Sequence, residues 1–375
     1  MLHIGIDAHA IGLAQGGNER YARGLLAGLA EIRPEGMRFT VFLTGKARQD
    51  AVSGARQFSI RSVPRNPAVR LVLSLPRSAV RERLDLLHTQ YHLPPALACP
   101  AVVTVHDIAF IRYPDCFPAA ERLKMRLSVR RSLRKAAKVI TVSEFSRREI
   151  VWWCPEVEGK VAVIPNGVDS VFRPAAPPAS DKELASLGVR RPFILSVGNL
   201  QPRKNLCRLL SAYLEVRRRG WQCGLAIVGR KLWLCDEFFA DLRNSPYASD
   251  IVLTGYLPDA SLAVLYGAAE CFVYPSLYEG FGLPVAEAMA CGCPVVTSCR
   301  SSLPEVAGDA ALLVNPESVK EIADAIGAVL SRSELRRCLA EKGPVRARLF
   351  SWRSAALRTA EVYAQAAMTQ ERTLR

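Results

Sequence analysis

The sequence predicts an α/β protein made of two consecutive parallel sheets, and three observations predict it. Short apolar runs rich in Val, Ile and Leu alternate with longer helical patterns along the chain, as they do where buried parallel strands are joined by crossover helices. The chain has 375 residues, enough for two to three domains at roughly 150 residues each. Near its middle a proline-rich stretch, RPAAPPAS at 173–180, separates the two series.

The elements follow in order. Leu2–Ile6, Arg38–Leu43, Asp85–His88, Ala101–Val105 and Lys138–Val142 are short apolar runs of strand length, with helical periodicity over Glu19–Ile32 and Ala120–Ala137. Val161–Ile164 then runs into PNGVD (165–169) and the linker. The second series has strands at Phe193–Val197, Leu225–Val228, Ile251–Leu253, Cys271–Tyr274 and Val295–Thr297. The tail is helical from about 319 to 368, with a stop expected at Gly343-Pro344, where proline offers no N–H, and a new helix from Trp352. This organisation gives a first Rossmann-like domain at 1–170, a second at 171–350 and a terminal helix at 351–375 that crosses back to the first. Doubly wound sheets bind ligands at the carboxyl ends of their strands, so the two domains are expected to face a shared interdomain cleft.

Half of the residues are hydrophobic and 23% are charged, which excludes disordered, collagen-like and disulfide-scaffold chains. Fifty Lys+Arg against 35 Asp+Glu leave a charge of +15 and imply an anionic partner: a phosphorylated metabolite, nucleic acid or an anionic membrane. The start MLHIGIDAHA has no basic n-region and no apolar stretch of a signal peptide, and no apolar run reaches membrane-spanning length, so a cytoplasmic location is expected. In that reducing setting the 11 cysteines read as small core residues. Cys291 and Cys293 have no second Cys/His pair at zinc spacing, so no metal is expected.

The sharpest constellation is PSLYEGFGLPVAEAMACGCPVV at 275–296. Glu279 and Glu287 stand on either side of a glycine turn, and Pro284 suits the first turn of a helix. A helix start preceded by glycines offers N–H groups at Gly282 and Leu283 to a phosphate. Glu287, one turn inside, can reach ribose hydroxyls, and Glu279 in the loop can accept from a sugar; the plain alternative is a turn with two solvated glutamates. In VGNLQPRKN, Arg203 and Lys204 sit at a strand-to-helix junction, where adjacent cations can clamp a diphosphate or simply decorate a surface. QGGNERY offers Gly16 and Gly17 after the first strand, and fails the G-x-G-x-x-G pattern of dinucleotide binders. It reads as a loop admitting a ligand to the backbone, with a plain turn as the alternative. TVHD places His106 at a strand end beside Asp107, which can orient it. His88 and His92 form a weaker set expected to line the same cleft.

The helix at 120–138 carries eight cations against one acid, with Met125, Val129, Leu133 and Ala136 on one face and Lys124, Arg131, Lys135 and Lys138 on the opposite one. A solvated face, attachment to an anionic membrane, or nucleic acid each fit it. The last lacks interleaved aromatic residues for base stacking.

EGFGLPVAE (279–287), SLPEVAGDAALLVNP (302–316), VGNLQPRKN, PNGVD and TVHDIAFIRYPDCFP (104–118) together resemble the family-four retaining glycosyltransferases of GT-B architecture. The resemblance spans nearly the whole chain, includes the family's E-x7-E signature, and looks toward bacterial mannosyl- or rhamnosyltransferases of surface-polysaccharide assembly. It implies transfer of a hexose, mannose- or rhamnose-like, from a nucleotide-diphosphate sugar such as GDP-mannose to a hydroxyl of a saccharide or polyprenyl-linked acceptor, with retention and without metal or cofactor. Glu279 would contact sugar hydroxyls, Glu287 the ribose, and Arg203 and Lys204 the diphosphate together with the backbone of Gly282 and Leu283. Gly16 and Gly17 would form the glycine loop near the donor and His106 would face the transferred sugar, so that His106 and Glu279 are the expected catalytic groups. Asn18, Glu19 and Asp107 would lie on the acceptor side, although GGNERY departs from members with a further glycine, and Asn199 replaces an arginine of some relatives. The enzyme would sit in the cytoplasm, peripheral at the inner membrane face and without nucleic acid. A nucleotide-sugar epimerase and a basic nucleic-acid-binding protein are the alternatives.

Overall fold

The computed structural model describes residues 1–13, 16–45, 55–175 and 179–373. Gln15 of the glycine loop and part of the proline-rich linker, at 176–178, lie outside the described residues. The chain forms two compact units: 1–111 with 120–167 and 351–375, and 112–119 with 168–350. Residues 112–119, which the sequence assigns to the first domain, therefore belong to the second unit.

In chain order, the elements up to residue 167 are β1 (Leu2–Asp7), α1 (Gly17–Ile32), β2 (Met37–Thr44), β3 (Ser59–Val63), α2 (Pro67–Val69), α3 (Leu75–Arg81), β4 (Leu86–Gln90), β5 (Ala101–Thr104), α4 (Ala109–Arg112), α5 (Ala119–Lys135), β6 (Lys138–Thr141), α6 (Glu144–Trp153) and β7 (Val161–Val163). The remainder are α7 (Asp181–Ser186), β8 (Phe193–Val197), α8 (Leu206–Arg218), β9 (Gly224–Val228), α9 (Asp236–Arg243), β10 (Ile251–Gly255), α10 (Asp259–Ala268), β11 (Cys271–Tyr274), α11 (Leu283–Ala290), β12 (Val295–Ser298), α12 (Leu303–Ala307), β13 (Ala311–Val314), α13 (Val319–Ser331), α14 (Ser333–Ala347) and α15 (Trp352–Thr373).

Both sheets are parallel. The first runs β3-β2-β1-β4-β5-β6-β7 and the second β10-β9-β8-β11-β12-β13. The strand order reverses between β1 and β4 in one and between β8 and β11 in the other, and such switch points are where open α/β sheets hold ligands. Central strands such as β8 (FILSV) and β11 (CFVY) are apolar along their length because helices cover both faces, and every residue of both is buried.

Helix α1 buries Tyr21, Ala22, Leu25, Leu26, Leu29 and Ala30, a stripe at helical spacing that joins the first core. Its glycines admit α15 at close range. A Cβ on Gly24 would lie 1.9 Å from the Trp352 ring, and one on Gly28 would lie 2.3 Å from the Trp352 carbonyl oxygen. The terminal helix thus closes the first unit, adding Ala355, Ala356, Val362, Tyr363 and Ala366 to its core.

Two helix ends differ from the sequence expectation. Helix α14 runs through Gly343-Pro344 to Ala347 instead of stopping there. Proline in the last turn forfeits a single backbone bond, and its own carbonyl still accepts from Arg348 N–H. Gly343 meanwhile lets α14 approach the backbone of Met289 in α11. Helix α5 ends at Lys135, and Lys138 opens β6. Val129, Leu133 and Ala136 are buried as expected and Met125 is half-buried, but the opposite face is not a free cationic stripe. The Arg131 guanidinium donates to the carbonyls of Leu93, Pro94 and Pro95, and Arg134 pairs with Glu156. The 11 cysteines are all free thiols, six of them buried.

Candidate active site

In the second unit the candidate residues gather at the carboxyl ends of β8 and β11, the two strands of its switch point. After β8, Pro202–Lys204 make a tight turn, and Asn205 follows in a left-handed conformation (φ 61°) that starts α8. The Asn205 amide donates to the carbonyls of Pro275 (2.9 Å) and Pro316 (2.6 Å), fixing the turn against the loop after β11. Lys204 and Arg203 are thereby held over Glu279. Lys204 Nζ donates to Glu279 Oε1 at 2.6 Å, and Arg203 donates to Oε2 at 2.9 Å. The hydroxyls of Ser276 (2.5 Å) and Tyr274 (3.0 Å) also donate to Oε1.

Glu279 is only 6% exposed, so burial works against its charge, yet the Arg203 and Lys204 charges and the surrounding donors prevail and hold its pKa down at about 2. It is a carboxylate at every physiological pH, saturated with donors before any ligand arrives. Its backbone N–H donates to Ser301 Oγ at 3.1 Å, and Ser302 Oγ donates to the carbonyls of Glu279 and Phe281 at 2.9 and 3.0 Å. The loop that carries the glutamate is therefore anchored at several points.

The turn closes at Gly282 in a left-handed conformation (φ 100°), with Leu283 and Pro284 opening α11. A Cβ at Gly282 would lie 2.5 Å from Leu303 Cδ2, so space and backbone both require glycine. Glu287, one turn into α11, is buried and accepts from the Tyr266 hydroxyl at 3.2 Å. The plain alternative of two solvated glutamates is thus overturned: both carboxylates are internal.

In the first unit His106 follows β5 and donates through Nε2–H to Gln90 Oε1 at 2.8 Å, while the Gln90 amide donates to the Asn18 carbonyl at 3.3 Å. That network leaves Nδ1 as the acceptor of the ring. Burial pushes the His106 pKa down to about 4, so the imidazole is neutral at pH 7. The Asp107 carboxylate accepts from Ala109 N–H at 3.1 Å and shapes the start of α4. Gln90 is a partner of the imidazole that the sequence did not offer.

Gly16 has φ 64° and caps α1, and a Cβ on Gly17 would meet nothing within 4 Å, the room that a ligand near the backbone needs. Glu19 turns inward, accepting from Gly12 N–H (2.9 Å) and from Arg23 (2.8 Å), and so closes its own loop. His88 is a second correction. It is buried in a relay from Tyr363 (2.7 Å) through its ring to Thr104 (2.8 Å) and on to Tyr21 (2.8 Å), and burial pushes its pKa down to about 3. It is buried within the first unit, whereas His92 is half-buried and bonds Ser128 Oγ at 2.9 Å.

Sequence reasoning missed Tyr274, Ser276, Ser301, Ser302 and Gln90. The available signal was positional: each lies at a strand's carboxyl end or immediately after it. It also missed Arg230 and Tyr256, which stack as a cation–aromatic pair (5.2 Å) just beyond β9 and β10.

Comparison with known proteins agrees with this geometry. Residues 15–172 match the family model for glycosyltransferase family 4, and residues 181–346 match that for group 1 glycosyl transferases. O-antigen chain mannosyltransferase B of Escherichia coli is 36% identical over 296 residues, 76% of each chain. The MMP alpha-(1->4)-mannosyltransferase of Mycolicibacterium hassiacum is 35% identical over 246 residues, 63% of this chain and 56% of that protein. Among solved structures, sucrose-phosphate synthase of Thermosynechococcus elongatus superposes with a TM-score of 0.78 at 23% identity, covering 97% of this chain and 99% of that one. Anabaena HepE with UDP-glucose superposes at 0.74 and 20% identity, covering 97% and 100%. These two share the fold, two parallel-sheet domains in the GT-B architecture. Together with the buried glutamate pair and its cations, the comparisons identify the chain as a member of the family-four, group 1 glycosyltransferases.

Proposed function

We propose that this glycosyltransferase moves mannose from GDP-mannose to a hydroxyl of a saccharide or polyprenyl-linked acceptor in surface-polysaccharide synthesis, retaining the anomeric configuration. The observation that carries the reading is the Glu279 carboxylate held by Arg203 and Lys204 at the switch point of the second sheet. Incoming diphosphate oxygens compete for the same two cations and turn part of their donor capacity toward the leaving group, while the N-terminus of α11 at Gly282 and Leu283 adds N–H groups. Glu279, relieved of part of that pairing, accepts from sugar hydroxyls, and Glu287 from the ribose. His106 is neutral at pH 7 and faces the transferred hexose through an Nδ1 acceptor, and the acceptor hydroxyl attacks from the face the diphosphate leaves.

A carboxylate with a pKa near 2 and two cationic partners is a poor nucleophile, which supports transfer without a covalent glycosyl-enzyme. Two cations beside the leaving diphosphate supply the charge that a metal would, so the reaction proceeds without one. The mannosyltransferase names of the relatives favour mannose over other hexoses, and the acceptor places the enzyme at the cytoplasmic membrane face.

Calorimetry against GDP-, UDP-, ADP- and dTDP-sugars tests the donor. Heat of binding with GDP-mannose alone, lost in Lys204→Ala and Glu287→Ala, is the expected result, and binding of none of the four would refute the reading. Product NMR reporting an inverted anomeric centre, a glycosylated Glu279 peptide, or activity lost on chelation would each remove the corresponding part of the mechanism.

A further inference from the structure

The segment from Ser62 to Arg81 is apolar on two sides. Its inward side, Leu75 and Ala79 with Leu71 beside them, packs with Phe42, Val63, Leu84 and Leu87 in a small core of the first unit. Its outward side exposes Val69 (40%), Val72 (52%), Leu73 (44%) and Val80 (64%), four large aliphatic side chains within twelve residues. A surface helix normally places polar residues there.

The backbone explains the alignment. Pro76 has no N–H for the Val72 carbonyl, so an α turn cannot be continued through it. The chain instead makes a π turn over Arg70–Ser74, with Leu75 N–H bonded to the Arg70 carbonyl. This wider turn keeps Val69, Leu73, Arg77 and Arg81, spaced four apart, along one side. They line a groove of about 320 Å³ together with Pro64, Ser74 and Ser78. Arg70 points the other way, buried and paired with Asp7 at 3.3 Å, and pins the segment to the end of β1.

No acidic residue occurs from 62 to 81, and Arg65 and Arg77 are exposed around the aliphatic patch, while Arg81, also exposed, pairs with Glu82 just beyond it at 3.1 Å. Aliphatic side chains ringed by arginines and serines match the surface of an anionic bilayer: acyl chains take the valines and leucine, and lipid phosphates take the guanidinium groups and hydroxyls. We infer that the 62–81 segment is the surface by which this enzyme docks on an anionic phospholipid membrane, with a lipid phosphate seated in the groove and Val72, Leu73 and Val80 among the acyl chains. Helix α5, whose Arg131 and Arg134 are already engaged, is secondary. The inference deepens the proposed use of a lipid-linked acceptor by naming the surface that would bring the enzyme to it.

The test is co-sedimentation of the full chain with vesicles of phosphatidylglycerol and phosphatidylcholine in equal parts, against phosphatidylcholine alone. The wild type is expected to pellet with the anionic vesicles only. Val72→Ser/Leu73→Ser/Val80→Ser and Arg65→Glu/Arg77→Glu should each weaken the partition about tenfold, and Arg122→Glu/Lys124→Glu in α5 less than about twofold. The substituted side chains are exposed, apart from the half-buried Arg122, so the segment variants should melt within about 2 °C of the wild type. In a Val72→Trp variant the added indole should shift its emission to the blue on adding anionic vesicles. Wild type left in the supernatant, unchanged partition of the two segment variants, an unmoved indole, or a lipid-free dimer that the triple variant dissolves would each overturn the proposal. The assay uses neither donor nor acceptor, so its failure leaves the transferase reading intact, and failure of the donor screen leaves this one intact.

Discussion

Replacing Glu279 by glutamine isolates what its charge does. In the folded protein burial raises the cost of that charge, but Arg203 and Lys204 outweigh it and hold the pKa at about 2 against the usual 4.5. The difference is about 2.5, and at about 1.4 kcal/mol for each unit of pKa the native carboxylate contributes about 3 to 4 kcal/mol. Because the folded value is depressed, that contribution is complete above about pH 4.5 and is lost as the pH falls toward 2. Glu279→Gln removes it and leaves two cations facing an amide, a loss of about 3 to 5 kcal/mol at pH 7. For a unit of this size that is a fall of about 6 to 20 °C in Tm, read by calorimetry on the transition of the second unit. The gap between wild type and variant should close between about pH 4.5 and pH 2. A fall of less than about 2 °C at pH 7, or a gap independent of pH, would refute the claim that the cations neutralise this carboxylate.

Gly282→Ala meets both a left-handed backbone and Leu303, and should cost about 1 to 3 kcal/mol by chemical denaturation, with donor binding weakened in calorimetry. Nitrogen-15 NMR should show His106 neutral at pH 5.5 and protonated on Nε2, since burial lowers its pKa to about 4; a charged ring at that pH would contradict its burial, and a neutral ring protonated on Nδ1 would contradict the Gln90 contact. Gln90→Ala should lower turnover while leaving Tm within about 3 °C, because it frees the imidazole without opening the core. His88→Leu, in contrast, strands the Tyr363 hydroxyl and removes one of the two partners of Thr104, and should cost about 1 to 3 kcal/mol in the first unit, with donor binding unchanged.

The interior strands were legible because a parallel strand covered on both faces is apolar throughout, and Phe193–Val197 and Cys271–Tyr274 coincide with β8 and β11. The edges were not. Strand β3 (SIRSV) is largely exposed and polar and carries no apolar signal, while β13 (ALLV), apolar but buried only at Val314, lies inside the SLPEVAGDAALLVNP motif and does not stand out from it. At the site, the glutamates, cations and glycine turn could be read because rare residue types sit at rare spacings. What remained hidden was pairing across the fold: Arg203 lies 76 residues from the carboxylate it holds, and Gln90 lies 16 residues from the histidine it orients.

The seating of α15 on the glycines of α1 bears on how the protein is made. The first unit begins at the amino terminus, yet the surface around Gly24 and Gly28 has no cover until residues 351–373 leave the ribosome. The second unit, complete at residue 350, can reach its final form while the first is still waiting. Synthesis therefore inverts the usual order in which amino-terminal domains finish first. A chain cut short before Trp352 would leave the Gly24 and Gly28 face of α1 without its partner helix.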